Sequence, residues 1–258
     1  MIKEESKFAD GLIFEGMTSI SAVINSPESN NRKITKIIYD SNKEKSKAKE
    51  LAFLRHKSKE LDFELAAVTP EEIDSITIGN SHGGIVAFCT ERNIPKLSDC
   101  LNDINKEGFY VMLEGIEDPY NFGYSLRSLY AAGADGVILN ERNWMGAAGV
   151  VSRASAGASE MLDMFIASGE EAAVALKQLG FKIICAGIRD SVSIYDADMK
   201  KPIFLIIGGE KRGISAAVLK ESDQIVRIDY DSKFRGSLSA ASSAAIIGFE
   251  VMHQNKNM

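Results

Sequence analysis

The chain has 258 residues, of which 45% are apolar and 26% charged, a composition typical of a globular protein with one large or two small domains. Its net charge of −6 argues against a protein that binds nucleic acid without selectivity. The N-terminus lacks the apolar core of a signal peptide and no apolar run reaches the length of a membrane span, so we expect a cytoplasmic protein with no membrane partner.

The first hundred residues predict a small α/β domain in which strands and helices alternate. Strands are expected over 34–39, 63–68 and 84–89, and helices over 43–59 and from Pro70 onward. The polar segment 94–108 is the predicted connector. It separates an N-terminal domain, 1–93, from a C-terminal domain, 109–258.

A basic stretch lies within this N-terminal part. Between Arg32 and Lys59 there are ten Lys or Arg against three acids. Such a stretch in an acidic protein is typical either of a solvated helix face or of a focused contact with phosphate groups. The sequence leaves both interpretations open.

The three cysteines, Cys89, Cys100 and Cys185, are widely spaced and form no C-x-x-C pair. We expect buried thiols in a reducing compartment, and no metal site.

From Phe109 onward, apolar strands alternate with helical stretches. The predicted strands are 109–114, 136–140, 163–167, 182–187, 202–208 and 224–229. The predicted helices are 122–132, 147–158, 170–179, 214–221 and 239–252. Near-continuous apolar strands between helices indicate a mostly parallel sheet with helices on both faces. Ligands of such sheets bind beyond the carboxyl ends of the strands.

The first informative loop follows strand 109–114. Asn121 is predicted to be the N-cap of the next helix. On that helix Arg127 lies one turn after Gly123, so its guanidinium is expected to reach back over bare backbone toward the helix start. Free amides and an arginine at one place favour an anion, most plausibly a phosphate.

Two more loops follow later strands. Paired glycines, Gly208 and Gly209, precede Glu210, and such glycines let a ligand approach the backbone closely. In the third loop Ser237 is predicted to cap a helix rich in Ala, Ser and Gly, which allows close packing. Neither glycine-bearing loop matches a dinucleotide or P-loop fingerprint.

Together and in this order, the three loops resemble the SpoU/TrmH family of RNA ribose methyltransferases in the SPOUT superfamily. The first motif resembles Asp-Pro-Tyr-Asn-Phe-Gly-Tyr-Ser-Leu-Arg at 118–127, and the second Ile-Gly-Gly-Glu-Lys-Arg-Gly-Ile-Ser at 207–215. The third resembles Ile228 followed by Ser-Leu-Ser at 237–239. The resemblance covers about 109–253. The N-terminal part is similar to the family's ribosomal-protein-like substrate domain, notably in His-Gly-Gly-Ile-Val-Ala at 82–87.

This resemblance implies a trefoil-knotted C-terminal domain, a homodimer with its active site near the subunit interface, and S-adenosylmethionine as the methyl donor, with S-adenosylhomocysteine as product. The acceptor is expected to be a ribose 2′-hydroxyl of ribosomal or transfer RNA. The positions that match the family's catalytic neighbourhood are Asn121, Arg127, Glu210 and Ser237. The positions expected to contact the donor are Gly208, Ile228 and Leu238, with Ala186 and Gly187 as further contacts.

One residue departs from the family pattern, because Ser239 stands where the third motif usually has asparagine. A hydroxyl is shorter than an amide and offers a different set of donors and acceptors. The departure favours one alternative, a non-catalytic RNA-binding or ribosome-assembly factor on the same fold. A second alternative is a methyltransferase that modifies ribosomal RNA for antibiotic resistance.

Overall fold

The computed structural model describes residues 12–77, 82–116, 118–209, 213–231, 233 and 236–256. These residues form two compact units. Unit 1 comprises Met1–Asn93 and Trp144–Met161, and unit 2 comprises Ile94–Asn143 and Leu162–Met258.

Eleven strands are found in the described part of the chain. They are β1 Ile13–Glu15, β2 Ile34–Asp40, β3 Glu64–Val68, β4 Ile85–Cys89, β5 Phe109–Glu114, β6 Gly136–Leu139, β7 Asp163–Ile166, β8 Lys182–Ala186, β9 Val192–Ser193, β10 Ile203–Gly208 and β11 Gln224–Arg227.

Nine α-helices are found in the same residues. They are α1 Gly16–Ile24, α2 Ala48–Leu61, α3 Pro70–Ile76, α4 Pro119–Ala131, α5 Ala148–Ala154, α6 Ala158–Met161, α7 Gly169–Gln178, α8 Ala216–Glu221 and α9 Ala240–Gln254. Short 3-10 turns lie at Ser41–Lys43, Leu97–Asp99 and Trp144–Ala147. Within the described ranges no helix is both long and apolar enough to cross a membrane.

Unit 1 is built on a four-stranded sheet in the order β1-β4-β2-β3, with β2 and β3 parallel and the other pairs antiparallel. Helices α1 and α2 pack their apolar residues against it, including Ile20, Leu51 and Leu54. The predicted helix over 43–59 begins only at Ala48, after a 3-10 turn that Asp40 caps.

The segment Trp144–Met161 belongs to unit 1, although the sequence analysis placed it in the C-terminal domain. Its Glu160 carboxylate accepts a hydrogen bond from Arg32 Nε at 2.9 Å, and both side chains are almost fully buried. Asn30 also donates to Glu160, and a Cβ on Gly149 would lie 1.8 Å from the carbonyl oxygen of Ile13. The buried Arg32–Glu160 ion pair and the close contact of Gly149 with the Ile13 backbone therefore hold this segment in the core of unit 1.

Unit 2 is built on a seven-stranded sheet in the order β7-β6-β5-β10-β8-β11-β9, with every neighbouring pair parallel. Its predicted strands are found within two residues of their expected ends. This confirms an α/β fold with a mostly parallel sheet. The strands β1 and β9 and the helix α1 were not predicted. The two strands are only three and two residues long and carry little periodic signal.

Cys89 and Cys185 are buried as expected, whereas Cys100 is only half-buried. Burial raises the pKa of the Cys89 thiol to about 12 and that of the Cys185 thiol to about 11. Both thiols therefore stay protonated near neutral pH and are poor nucleophiles.

Candidate functional site

A cavity of about 540 Å³ lies at the carboxyl ends of β8, β10 and β11 in unit 2. Its wall includes all five residues predicted to contact the donor and one of the four predicted catalytic residues. They are Ala186, Gly187, Gly208, Ile228, Leu238 and Ser237. The second and third motifs, together with the end of β8, therefore meet at one place, as a parallel sheet requires.

The glycines at the two ends of the second motif lie against each other after β10. Gly209 and Gly213 form an antiparallel bridge, and a Cβ on Gly208 would lie 2.6 Å from the carbonyl carbon of Gly213. Gly209 N also donates to the carbonyl oxygen of Glu114 at 2.7 Å, and a Cβ on Gly209 would lie 2.1 Å from Gly115 O. Glycine is therefore required where the second motif contacts the end of β5.

The third loop is joined across its ends, because Leu238 N donates to the hydroxyl of Tyr230 at 3.2 Å. The prediction that Ser237 caps the following helix is wrong. The N-cap of α9 is Ser239, whose hydroxyl accepts from Ser242 N at 3.2 Å. Ser237 is exposed and remains on the wall of the cavity.

The first motif lies at the start of α4. The prediction that Asn121 caps this helix is wrong, because Asp118 is the N-cap and accepts from Asn121 N at 2.7 Å. Pro119 fixes the first helical position, which places the cap one residue before it. Arg127 is exposed, and no ion pair or hydrogen bond engages it among the described residues. Neither Asn121 nor Arg127 lines the cavity in the same chain.

The fourth predicted catalytic residue, Glu210, lies outside the described residues, as do Lys211 and Arg212.

The sequence analysis missed two charged residues and a tyrosine on the cavity wall: Arg227, Asp229 and Tyr230. Arg227 Nε donates to Asp229 Oδ1 at 2.8 Å. The pKa of the Asp229 carboxyl lies below its ordinary value, chiefly because the Ser193 side chain donates a hydrogen bond to it and also because Arg227 lies beside it. Their position on either side of Ile228 is the sequence signal that would have found them.

The basic stretch 32–59 is less basic at its surface than its composition suggests. Arg32 is buried in the pair with Glu160 and is not a surface cation. Five others form ion pairs with acids: Lys36, Lys43, Lys47, Arg55 and Lys57. The remaining exposed cations, which make no ion pair within the described part of the chain, are Lys33, Lys45, Lys49 and Lys59.

The sequence matches the model of a known protein family, and the fold matches solved structures. Residues 108–249 match the sequence model of the SpoU rRNA Methylase family. The crystal structure of an AdoMet-bound rRNA methyltransferase from Sinorhizobium meliloti superposes with a TM-score of 0.75 at 23% identity, covering 98% of this chain and 90% of that one.

Two curated relatives show how far the similarity extends. The chain is 25% identical to the 23S rRNA (guanosine-2′-O-)-methyltransferase RlmB of Xylella fastidiosa, over 92% of this chain and 96% of the relative. It is 28% identical to an uncharacterized tRNA/rRNA methyltransferase of Synechocystis over 70% of this chain. That match spans only 48% of the Synechocystis protein.

Proposed function

This chain belongs to the SpoU rRNA Methylase family, and we propose that it is an RNA methyltransferase that moves a methyl group from S-adenosylmethionine to a ribose 2′-hydroxyl of ribosomal or transfer RNA. The observation that carries the proposal is the convergence of the second and third motifs on one cavity. The name of the Xylella relative, a guanosine-2′-O-methyltransferase, supports a ribose hydroxyl as the acceptor.

The cavity fits the donor in size and in chemistry. Its volume of about 540 Å³ falls in the range of small-molecule sites. Gly187 and Gly208 present bare backbone on the cavity wall, which a flat adenosine could approach closely. The apolar side chains of Ile228 and Leu238 supply contact surface, and the Arg227–Asp229 pair supplies polar groups at the wall.

When bound, S-adenosylmethionine supplies a methyl group on a positively charged sulfur. Transfer of that methyl group would require the ribose oxygen to lie in line with the carbon–sulfur bond and the hydroxyl proton to pass to a base or to water. This chain must hold the ribose in line with that bond and stabilise the negative charge that develops on oxygen. We assign the second task to Arg127, whose positively charged guanidinium also suits the adjacent RNA phosphate. From the family resemblance we assign Asn121 to orienting the ribose or the arginine and Glu210 to the catalytic neighbourhood, and Ser237 is on the wall of the cavity proposed for the donor.

A homodimer resolves the separation of Arg127 from the cavity. Arg127 is exposed on α4 and does not line the cavity of its own chain. Helix α4 packs on α9, and together these helices expose three large apolar side chains, Tyr124, Tyr130 and Phe249. Exposed aromatic residues on adjacent helices are typical of an interface. We propose that Arg127 of the partner subunit reaches the cavity across this surface.

The remaining features implied by the resemblance belong to the same proposal. They are a trefoil knot in the C-terminal domain, a cytoplasmic location, and an N-terminal domain over 1–93 that binds the RNA substrate. The four exposed lysines of the basic stretch support the last of these.

Two variants test the proposal together. Arg127→Ala should retain the donor and lose turnover by about a hundred-fold or more, because it removes charge stabilisation from the transition state only. Gly209→Ala should lose the donor itself, since its Cβ would clash with Gly115 O and displace the second loop. Calorimetry measures donor binding, and transfer of labelled methyl to total RNA measures turnover. Near-native turnover of Arg127→Ala would contradict the catalytic assignment.

Mixing the two inactive variants tests the shared site. In a mixed dimer, one cavity is formed by a chain with an intact glycine loop and a partner with an intact Arg127. Activity should therefore return to a fraction of the wild-type value on mixing. No recovery, in a mixture shown by native mass spectrometry to contain mixed dimers, would place Arg127 in the same chain as the cavity it serves.

A further inference from the structure

A second cavity, of about 280 Å³, lies within unit 1 and shares no residue with the cavity of unit 2. Four parts of unit 1 form its walls: the start of α1, Lys47 just before α2, two residues of the segment Trp144–Met161, and residues 82–85 at the start of β4. We propose that this cavity binds a phosphate group, carried either by the RNA backbone or by a free phosphate or nucleotide.

The first argument is the uncapped start of α1, a helix of nine residues. Its N-cap residue, Glu15, makes no side-chain capping hydrogen bond, because its carboxylate pairs with Arg153 instead. The first-turn residues Met17, Thr18 and Ser19 line the cavity. Amides at a helix start carry partial positive charge and are ready donors to an anion.

The second argument is independent of the helix. Ser19 is only 1% exposed and lines the cavity, yet its hydroxyl has no hydrogen-bond partner among the described residues. A hydroxyl on an almost buried side chain that lacks a protein partner must be satisfied by water or by a ligand. A ligand oxygen in the cavity would supply the missing acceptor.

The third argument is the charge of the wall. Two cations, Lys47 and Arg153, line the cavity against one lining acid, Glu15, and Lys47 also pairs with Glu50. Arginine and lysine are the side chains that commonly bind phosphate oxygens. His82 completes the wall. Its Nδ1 accepts from Gly84 N at 3.1 Å, which leaves the proton on Nε2, 3.4 Å from Asp74.

The decisive variant is Ser19→Ala, because it removes the unpartnered hydroxyl without loss of an internal hydrogen bond. Its stability without ligand should equal or exceed that of the wild type. Its affinity for inorganic phosphate should fall by about fivefold to tenfold, because the loss of one hydrogen bond to the ligand changes the binding constant by about that factor. The measurement is the rise in unfolding temperature with phosphate, at ionic strength held constant with chloride.

The chain offers a matched control for each change. Ser152 is also fully buried in unit 1 with an unpartnered hydroxyl, but it does not line the cavity, so Ser152→Ala should keep the wild-type response to phosphate. Lys47 and Lys57 both form ion pairs with a glutamate three residues later, and only Lys47 lines the cavity. Lys47→Gln should therefore weaken phosphate binding and Lys57→Gln should not.

The source of the phosphate follows from a competition experiment. If the RNA backbone occupies the cavity, phosphate competes with RNA, and Ser19→Ala weakens RNA binding while Ser152→Ala does not. If a free phosphate or nucleotide occupies it, phosphate binding weakens in Ser19→Ala while RNA binding is unchanged. The proposal is wrong if phosphate stabilises the wild type no more than chloride does, or if the two serine variants respond alike. None of these assays contains a methyl donor, so their outcome is independent of the methyl transfer proposed for unit 2.

Discussion

Ser239 stands where the third motif usually has asparagine, and the structure gives this hydroxyl a definite task. It caps α9 by accepting from Ser242 N. Serine and asparagine are similarly good N-caps, so the departure from the family pattern leaves the start of this helix intact. The replacement is therefore compatible with a folded third loop and by itself gives no reason to assign a non-catalytic protein.

We predict that Ser239→Ala lowers the free energy of unfolding by about 1 kcal/mol, because it removes the cap. Ser239→Asn should stay close to the wild type, since an asparagine side chain can make the same bond. Urea unfolding measures both. Ser237→Ala is the control and should not change stability, since Ser237 is exposed and caps nothing. A larger loss in Ser237→Ala than in Ser239→Ala would contradict the cap.

The pair Arg32–Glu160 is the most buried ion pair among the described residues, with side-chain exposures of 1% and 0%. Removing one partner leaves the other charge buried without compensation. We expect Arg32→Met to lower the free energy of unfolding by about 3–5 kcal/mol. The exposed pair Arg55–Glu44 is the control, and Arg55→Gln should change stability little because water screens it. Equal effects of the two variants would show that burial does not govern these pairs.

At the scale of single elements, periodicity predicted the sheet of unit 2 well, because parallel strands are apolar on both faces. The break in the predicted helix 147–158 was not visible in the sequence. There Ala156 and Gly157 take positive φ and separate α5 from α6. The two cap errors have a common cause. Several good capping residues lie within three positions of each helix start, and the choice among them depends on neighbouring backbone such as Pro119.

The sequence predicted the motif residues that form the candidate site, but it did not predict every residue on the wall of the cavity. Gly208 could be found because paired glycines after a strand let a ligand approach the backbone, whereas Gly187 was implied only by the resemblance to the family. Asp229 and Tyr230 were missed because a single acid and a tyrosine after a strand are ordinary in surface loops. The position of Arg127 away from the cavity depends on tertiary packing that no local pattern encodes.

The basic stretch gives a prediction for α2 and the turn before it. Lys45 and Lys49 are exposed and make no ion pair within the described residues. Reversing both charges should weaken RNA binding and lower the slope of log affinity against log salt by about 1–2. Lys106 and Lys200, which are exposed lysines of unit 2, give a control with the same change in net charge. An equal loss in both double variants would assign the effect to net charge alone.

At the scale of the whole molecule, the chain passes between the two units three times, after residues 93, 143 and 161. We predict that the fragment 94–258 aggregates when expressed alone. Its segment Trp144–Met161 would then expose Val151 and carry Glu160 without Arg32. Co-expression with the fragment 1–93 should yield a soluble complex of the two. Size-exclusion chromatography measures both outcomes, and a monodisperse fragment 94–258 would contradict the prediction.

Because the chain crosses between the units three times, recombination at a single point cannot exchange one whole unit for another. A crossover near residue 93 would bring in a foreign partner for Glu160 and a foreign strand against Gly149, while leaving both of those residues behind. Transplanting unit 1 of one relative into another therefore requires two stretches of sequence, 1–93 and 144–161, to be moved together. Relatives that differ in the first stretch should carry compensating differences in the second.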